Sequence, residues 1–269
     1  MDSNLTLSSH PIGIFDSGIG GLSVARKIRE LLPNEDIIYV ADSLHAPYGE
    51  KSDNYIFQRM DAVTKFLLTH EIKALVVACN TATTTAISKL RTRYLLPIIG
   101  IEPGIKPASL STHTGIIGVL ATSRTLQTNS FTALTKRFAN NIKIEIQPCP
   151  GLVTKIEALD FDSTQTINLL EQYISPLLAK GADTIVLGCT HYNHLSELIA
   201  KIAGENVAII KTDTAVAKEV VRRLSAIKLL TSRDHSGTEK FWTSGPLAIY
   251  QQQIERLWGK QSQYYHWSG

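Results

Sequence analysis

Three cysteines stand in a chain of 269 residues: Cys79, Cys149 and Cys189. Cys79 ends the apolar run Ala74-Leu-Val-Val-Ala and is followed by Asn80-Thr81. Cys189 ends Thr184-Ile-Val-Leu-Gly and is followed by Thr190-His191. Each run reads as a buried strand that stops at cysteine and turns into a helix. The free N–H groups at a helix start stabilise a thiolate and lower the thiol pKa. A thiolate can serve as nucleophile, metal ligand or base. Metal ligation is disfavoured, because no Cys-x-x-Cys occurs and two Cys with one His would need a fourth ligand. A single nucleophile would leave the second cysteine without a use. Two thiols suggest something else: one removes a proton from a substrate carbon and the other delivers one to the opposite face. That chemistry inverts a stereocentre without a cofactor.

Such thiols need neighbours that tune their protons. Asp16 near Cys79 and His191 beside Cys189 are the candidates. Ser17, Asn80, Thr81 and Thr190 are neutral donors suited to a charged substrate. Cys149 sits between Pro148 and Pro150 with no acid or base adjacent, and reads as a packing residue.

The turn Asp16-Ser17-Gly18-Ile-Gly20-Gly21 has three readings. Gly18, Gly20 and Ser23 fit a dinucleotide-binding Gly-x-Gly-x-x-Gly at the first two positions, and Asp42 stands where a ribose-binding acid would. Against that, Asp16 puts a carboxylate where a pyrophosphate would approach. The turn can equally be a structural tight turn, or one that presents Asp16 and Ser17 to a small ligand.

These residues need strand ends to carry them, and the rest of the chain supplies a pattern of strands. Short β-branched runs alternate with amphipathic stretches. Strands are expected near 11–15, 36–41, 73–78, 97–101, 116–120, 143–147, 184–187, 207–210 and 240–243. Helices are expected over 54–70, 83–94, 125–138, 164–180, 195–202, 215–227 and 247–257. This alternation predicts parallel sheets covered by helices, with ligands at the carboxyl ends of the strands. The matched segments around Cys79 and Cys189 predict two similar α/β lobes, with the active site in the cleft between them. Length agrees, at about 1.8 domains' worth of chain. Hydrophobic residues make up 43% and charged residues 19%, as in an ordinary globular protein. The net charge of +3 is too small to predict a nucleic-acid partner. No apolar run approaches the roughly 20 residues that span a bilayer, so no membrane association is expected. Residues 1–10 lack the basic and apolar regions of a secretory signal, and the expectation is a cytoplasmic protein with reduced thiols.

Taken together, the motifs resemble those of the glutamate racemases, cofactor-independent two-cysteine enzymes of the Asp/Glu racemase family. The resemblance is carried by Gly13-Ile-Phe-Asp16-Ser17-Gly-Ile-Gly-Gly21, Ala41-Asp42, Pro47-Tyr48-Gly49 and Cys79-Asn-Thr-Ala-Thr83. It continues through Ile101-Glu-Pro-Gly104, Gly118-Val-Leu-Ala-Thr122, Cys149-Pro150, Glu157 and Gly188-Cys189-Thr190-His191-Tyr192. It implies interconversion of L- and D-glutamate, an isomerase reaction that supplies D-glutamate for peptidoglycan. It implies Cys79 as the thiol acting on the D-enantiomer and Cys189 on the L-enantiomer. Asp16 and His191 would assist, with Glu157 a helper near His191. Substrate contacts would come from Asp16, Ser17, Tyr48, Gly49, Asn80, Thr81, Thr190 and His191. No cofactor and no metal are implied, and a homodimer is an assembly the resemblance allows. It assigns residues 1–97 and 210–269 to one domain, and 98–209 to the other. Asn193, Thr154 and Lys155 depart from the usual pattern near Cys189 and Glu157. The alternatives are a racemase of another acidic amino acid such as aspartate, and a nucleotide-binding α/β protein.

Overall fold

The computed structural model describes residues 7–140, 142–259 and 262–269. The chain divides into two compact units, one running to Ile101 and resuming at Asp213, the other Glu102–Thr212. Each is built on a wholly parallel sheet.

The first sheet has six strands: β1 (Ile12–Asp16), β2 (Ile37–Ala41), β3 (Ala74–Val77), β4 (Ile98–Gly100), β9 (Glu239–Thr243) and β10 (Gln263–His266), in the order β10-β9-β2-β1-β3-β4. The second has four: β5 (Ile116–Ala121), β6 (Lys143–Pro148), β7 (Thr184–Leu187) and β8 (Ala208–Ile210), in the order β6-β5-β7-β8. Every pairing in both sheets is parallel. The central order of the first sheet, β2-β1-β3-β4, recurs in the second as β6-β5-β7-β8. In each, the strand that leads to cysteine lies beside the unit's opening strand. β4 pairs with β3 and so belongs to the first unit.

Burial follows from the parallel arrangement. β1, β2, β3 and β7 are buried at every position, as strands covered on both faces must be. Apolar side chains of β1, β2 and β3 pack with Ile56, Met60, Val63 and Leu67, one face of the helix Asp53–Thr69. In the second unit Ile117, Val119 and Val186 pack with Ile105, Ala108 and Phe131.

The expected helix over 125–138 is in fact two, Ser123–Gln127 and Asn129–Lys136. Thr128 takes an extended conformation between them, and its hydroxyl caps the second helix by accepting from Phe131 N–H at 3.1 Å. Two short helices, Ile105–Ser111 and Leu152–Glu157, and the strand β10 lie outside the periodic stretches of the sequence. No helix among the described residues is long and apolar enough to cross a membrane.

Candidate active site

In the first unit the candidate residues gather at the carboxyl ends of β1 and β3. These strands pair with Phe15 opposite Val77, which brings the segments beginning at Asp16 and Ala78 side by side. The Asp16 carboxylate is fully buried and accepts from Gly18 N–H at 2.8 Å. Gly21 sits where a β-carbon would approach Asp16 Cβ to 2.8 Å and Ala78 Cβ to 2.9 Å. Gly21 therefore lets the turn close against Asp16 and Ala78.

Cys79 is 5% exposed and precedes the helix Asn80–Arg93. Its sulfur takes the N-cap position and accepts from Ala82 N–H at 3.5 Å. Such a donor favours the thiolate. The Cys79 thiol also lies 3.7 Å from Ser17 Oγ. Asn80 is buried, and its Nδ2 donates to Ile101 O at 3.4 Å while its Oδ1 has no hydrogen-bond partner. Thr81 is buried beside it. Ser17, Asn80 and Thr81 are thus grouped with Cys79.

Tyr48 and Gly49 lie in the turn after β2, which contains a cis Ala46–Pro47 peptide. The Tyr48 hydroxyl donates to Asp42 Oδ2 at 2.6 Å. Burial and the Asp42 carboxylate push the Tyr48 phenol well above its ordinary pKa. Asp42 is fully buried and is also held by Arg59, whose Nε and Nη2 donate to it at 2.9 Å. Both carboxylate oxygens are thereby engaged, so the acid that stood as a ribose ligand in the nucleotide reading is committed within the protein. Arg59 gave no signal in the sequence, because an arginine on an amphipathic helix reads as part of its solvent face.

In the second unit, Cys189, Thr190, His191 and Glu157 come together. Cys189 follows β7 through Gly188, where a β-carbon would lie 2.9 Å from Leu120 O. Beyond it the chain forms a 3₁₀ turn, Thr190–Leu195, and the α-helix starts only at Ser196. The helix expected over 195–202 is thus observed at Ser196–Ala203, and the segment directly after Cys189, read as a helix start, is a 3₁₀ turn. The difference has a chemical effect. Side chains two apart on an α-helix do not face each other. With Cys189 extended ahead of the tight turn, His191 Nδ1 stands 3.8 Å from Cys189 Sγ. His191 Nε2 donates to Glu157 Oε1 at 2.6 Å. The short helix Leu152–Glu157, entered through left-handed Gly151, is what presents Glu157.

His191 is 2% exposed. Burial by itself opposes its charge, but its bonds to Cys189 and Glu157, and the charges of both, raise its pKa well above the ordinary histidine value. The imidazolium can then face a Cys189 thiolate, with Glu157 balancing the cation on the far side. Cys149 contrasts with this. Burial pushes its thiol far up, so it stays protonated, and the Tyr192 hydroxyl packs against its carbonyl at 3.5 Å. Thr154 and Lys155 lie in the same short helix as Glu157, and Lys155 Nζ turns to Asp160 at 3.0 Å and Gln165 at 2.7 Å. Among the described residues no group of three or more His, Cys, Asp or Glu is placed to hold a metal ion.

The chain is similar to known proteins over most of its length. The family model described as Asp/Glu/Hydantoin racemase matches residues 12–220. A glutamate racemase from Ectopseudomonas mendocina is 49% identical over 257 residues, covering 95% of this chain and 97% of the relative. Among solved structures, a glutamate racemase isoform from Bacillus anthracis superposes with a TM-score of 0.86 at 32% identity, over 96% of this chain and 97% of that one. The glutamate racemase of Francisella tularensis in complex with D-glutamate gives a TM-score of 0.84 at 30% identity, covering 96% and 97%.

Proposed function

Because this chain belongs to the Asp/Glu/hydantoin racemase family, we propose that it interconverts L- and D-glutamate by two-base proton transfer at the α-carbon. The observation that carries the mechanism is the Cys189–His191–Glu157 relay, in which a cysteine after a strand end has its own cation within 3.8 Å. Cys79, with its N–H donor at 3.5 Å, is the second thiol of the pair. Glutamate is the substrate on the strength of the relatives, which carry that name and, in the Francisella tularensis enzyme, bind D-glutamate.

On this reading the Cys189 thiolate takes the α-proton of L-glutamate, breaking the C–H bond and leaving its electron pair on carbon. The Cys79 thiol gives its proton to the opposite face and becomes the thiolate. The reverse reaction starts from Cys79 as base. His191 holds the charge of the Cys189 thiolate, Glu157 holds His191, and Asp16 assists Cys79. Ser17, Asn80, Thr81, Thr190 and the Tyr48-Gly49 turn bind the substrate's carboxylates and ammonium. The product D-glutamate supplies peptidoglycan synthesis. The reading places the enzyme in the cytoplasm, where thiols stay reduced, and includes assembly as a homodimer.

The test is racemisation of L-glutamate and of D-glutamate by the purified protein with no added cofactor, followed by optical rotation. Loss of rotation from both enantiomers is the expected result. Turnover of L-aspartate with none of glutamate would overturn the substrate assignment.

A further inference from the structure

Asp42 is a node in the first unit. Its backbone N–H donates to Asp16 O at 3.0 Å, which joins it to the turn of Asp16 and Ser17. Its side chain accepts from the Tyr48 hydroxyl at 2.6 Å, which joins it to the Pro47-Tyr48-Gly49 turn. The Tyr48 ring is 1% exposed and lies 6.1 Å from the ring of Phe15, the residue before Asp16. The two substrate turns are therefore joined through Asp42, by its backbone on one side and its buried carboxylate on the other, with the Phe15–Tyr48 ring contact beside it.

On its other side that carboxylate is gripped by Arg59 of the helix Asp53–Thr69, with His45 Nε2 at 4.0 Å from Oδ1. The Arg59 side chain is 13% exposed, and Nε and Nη2 form a two-point grip on Asp42, each at 2.9 Å. The remaining nitrogen, Nη1, donates to Gly269 O at 3.2 Å, and the guanidinium lies 5.1 Å from the Trp267 ring centre. The planar fork is fixed on three sides. An ammonium would keep the charge and lose the two-point geometry.

We propose that Arg59 is a positioning residue for the reaction: through Asp42 it fixes Tyr48, and with it the backbone of the 47–49 turn that contacts substrate. The inference rests on the reading of Tyr48-Gly49 as a substrate contact. Arg59 itself touches no reacting atom. Its loss should therefore weaken substrate binding while the proton-transfer groups stay in place.

The experiment measures KM and kcat for both enantiomers, with the melting temperature, in wild type, Arg59→Lys, Tyr48→Phe and the double variant. Arg59→Lys is expected to raise KM about tenfold, the loss of one charge-assisted hydrogen bond, with kcat within about twofold of wild type. Tyr48→Phe should raise KM comparably, and the double variant should be no worse than the worse single one, since both cut the same link. A KM for Arg59→Lys within about twofold of wild type overturns the proposal, as does a double variant whose losses multiply. A lower melting temperature with unchanged KM also overturns it, because a purely structural ion pair behaves that way. If Arg59→Lys does not fold, Asp42→Asn and Tyr48→Phe carry the same KM criterion. Wild-type protein that fails to racemise glutamate would refute the underlying reading. Active wild type with normal KM in the variants would refute only the role of Arg59.

Discussion

Glu157→Gln is the substitution that probes the chemistry most finely. It keeps size and hydrogen-bonding capacity but removes the charge that faces His191. The two groups are 2.6 Å apart, with side-chain exposures of 18% for Glu157 and 2% for His191. A hydrogen bond between charged, largely buried groups contributes about 1.5–3 kcal/mol. At about 1.4 kcal/mol per factor of ten, kcat/KM should fall roughly 10- to 150-fold. The two enantiomers are equally stable in water, so the loss in kcat/KM must be the same in both directions. The pH dependence must shift too. The His191 pKa is raised well above its ordinary value partly by Glu157, so without that charge it falls. The alkaline limb of kcat/KM should therefore move to lower pH. Stability changes in step. A histidine raised in the folded state stabilises fully below its unfolded pKa of about 6.5 and loses that contribution as pH rises through the folded value. In Glu157→Gln the loss should still begin at about pH 6.5 but be complete at lower pH and smaller in total. The assay is the initial rate of rotation change from each enantiomer across pH, with urea titration in parallel. A kcat/KM within about threefold of wild type and an unmoved alkaline limb would refute the relay.

Other substitutions separate structure from chemistry. Cys149→Ala should leave kcat/KM unchanged and lower stability by about 1 kcal/mol, read by urea unfolding, because the thiol is a buried packing group. Lys73→Met should cost about 3–5 kcal/mol, since it strands the buried carboxylate of Glu35, which Lys73 binds together with Ser8 O at 2.6 Å. Asp183 accepts from Thr112 Oγ1, His113 N–H and Thr114 N–H. Burial opposes its charge, but these bonds lower its pKa to about 2. Its contribution should be complete above pH about 4 and lost as pH falls through about 2, so Asp183→Asn should flatten acid unfolding over that window by about 1–2 kcal/mol.

Much of the site was readable because parallel α/β sheets put their chemistry at strand ends. Cys79 and Cys189 each follow a short β-branched run, and Asp16 and His191 became candidates as the ionisable neighbours of those thiols. The repeated strand order of the two sheets matches the likeness between the segments around Cys79 and Cys189. Glu157 was different. Its helix has six residues, too few for periodicity to show, and it entered only through the family resemblance. The contact between Cys189 and His191 depends on a 3₁₀ turn that spacing cannot distinguish from the start of an α-helix. Thr128 splits a helix by capping the next one, a choice between two hydrogen-bond patterns that apolar spacing does not reveal. Asp42 and Arg59 form a pair 17 residues apart, and a charged residue bound for the interior looks in sequence like any solvated one.

The two-base transfer is tested most directly by racemising L-glutamate in deuterated water and stopping at low conversion. With two thiols, a proton taken by one returns to the same face, while the other face receives a solvent-derived deuteron. The D-glutamate formed should then carry deuterium at the α-carbon while the remaining L-glutamate keeps its protium. Starting from D-glutamate should give the mirror result. Product that retains substrate protium, or deuterium appearing equally in both enantiomers at low conversion, would contradict the account.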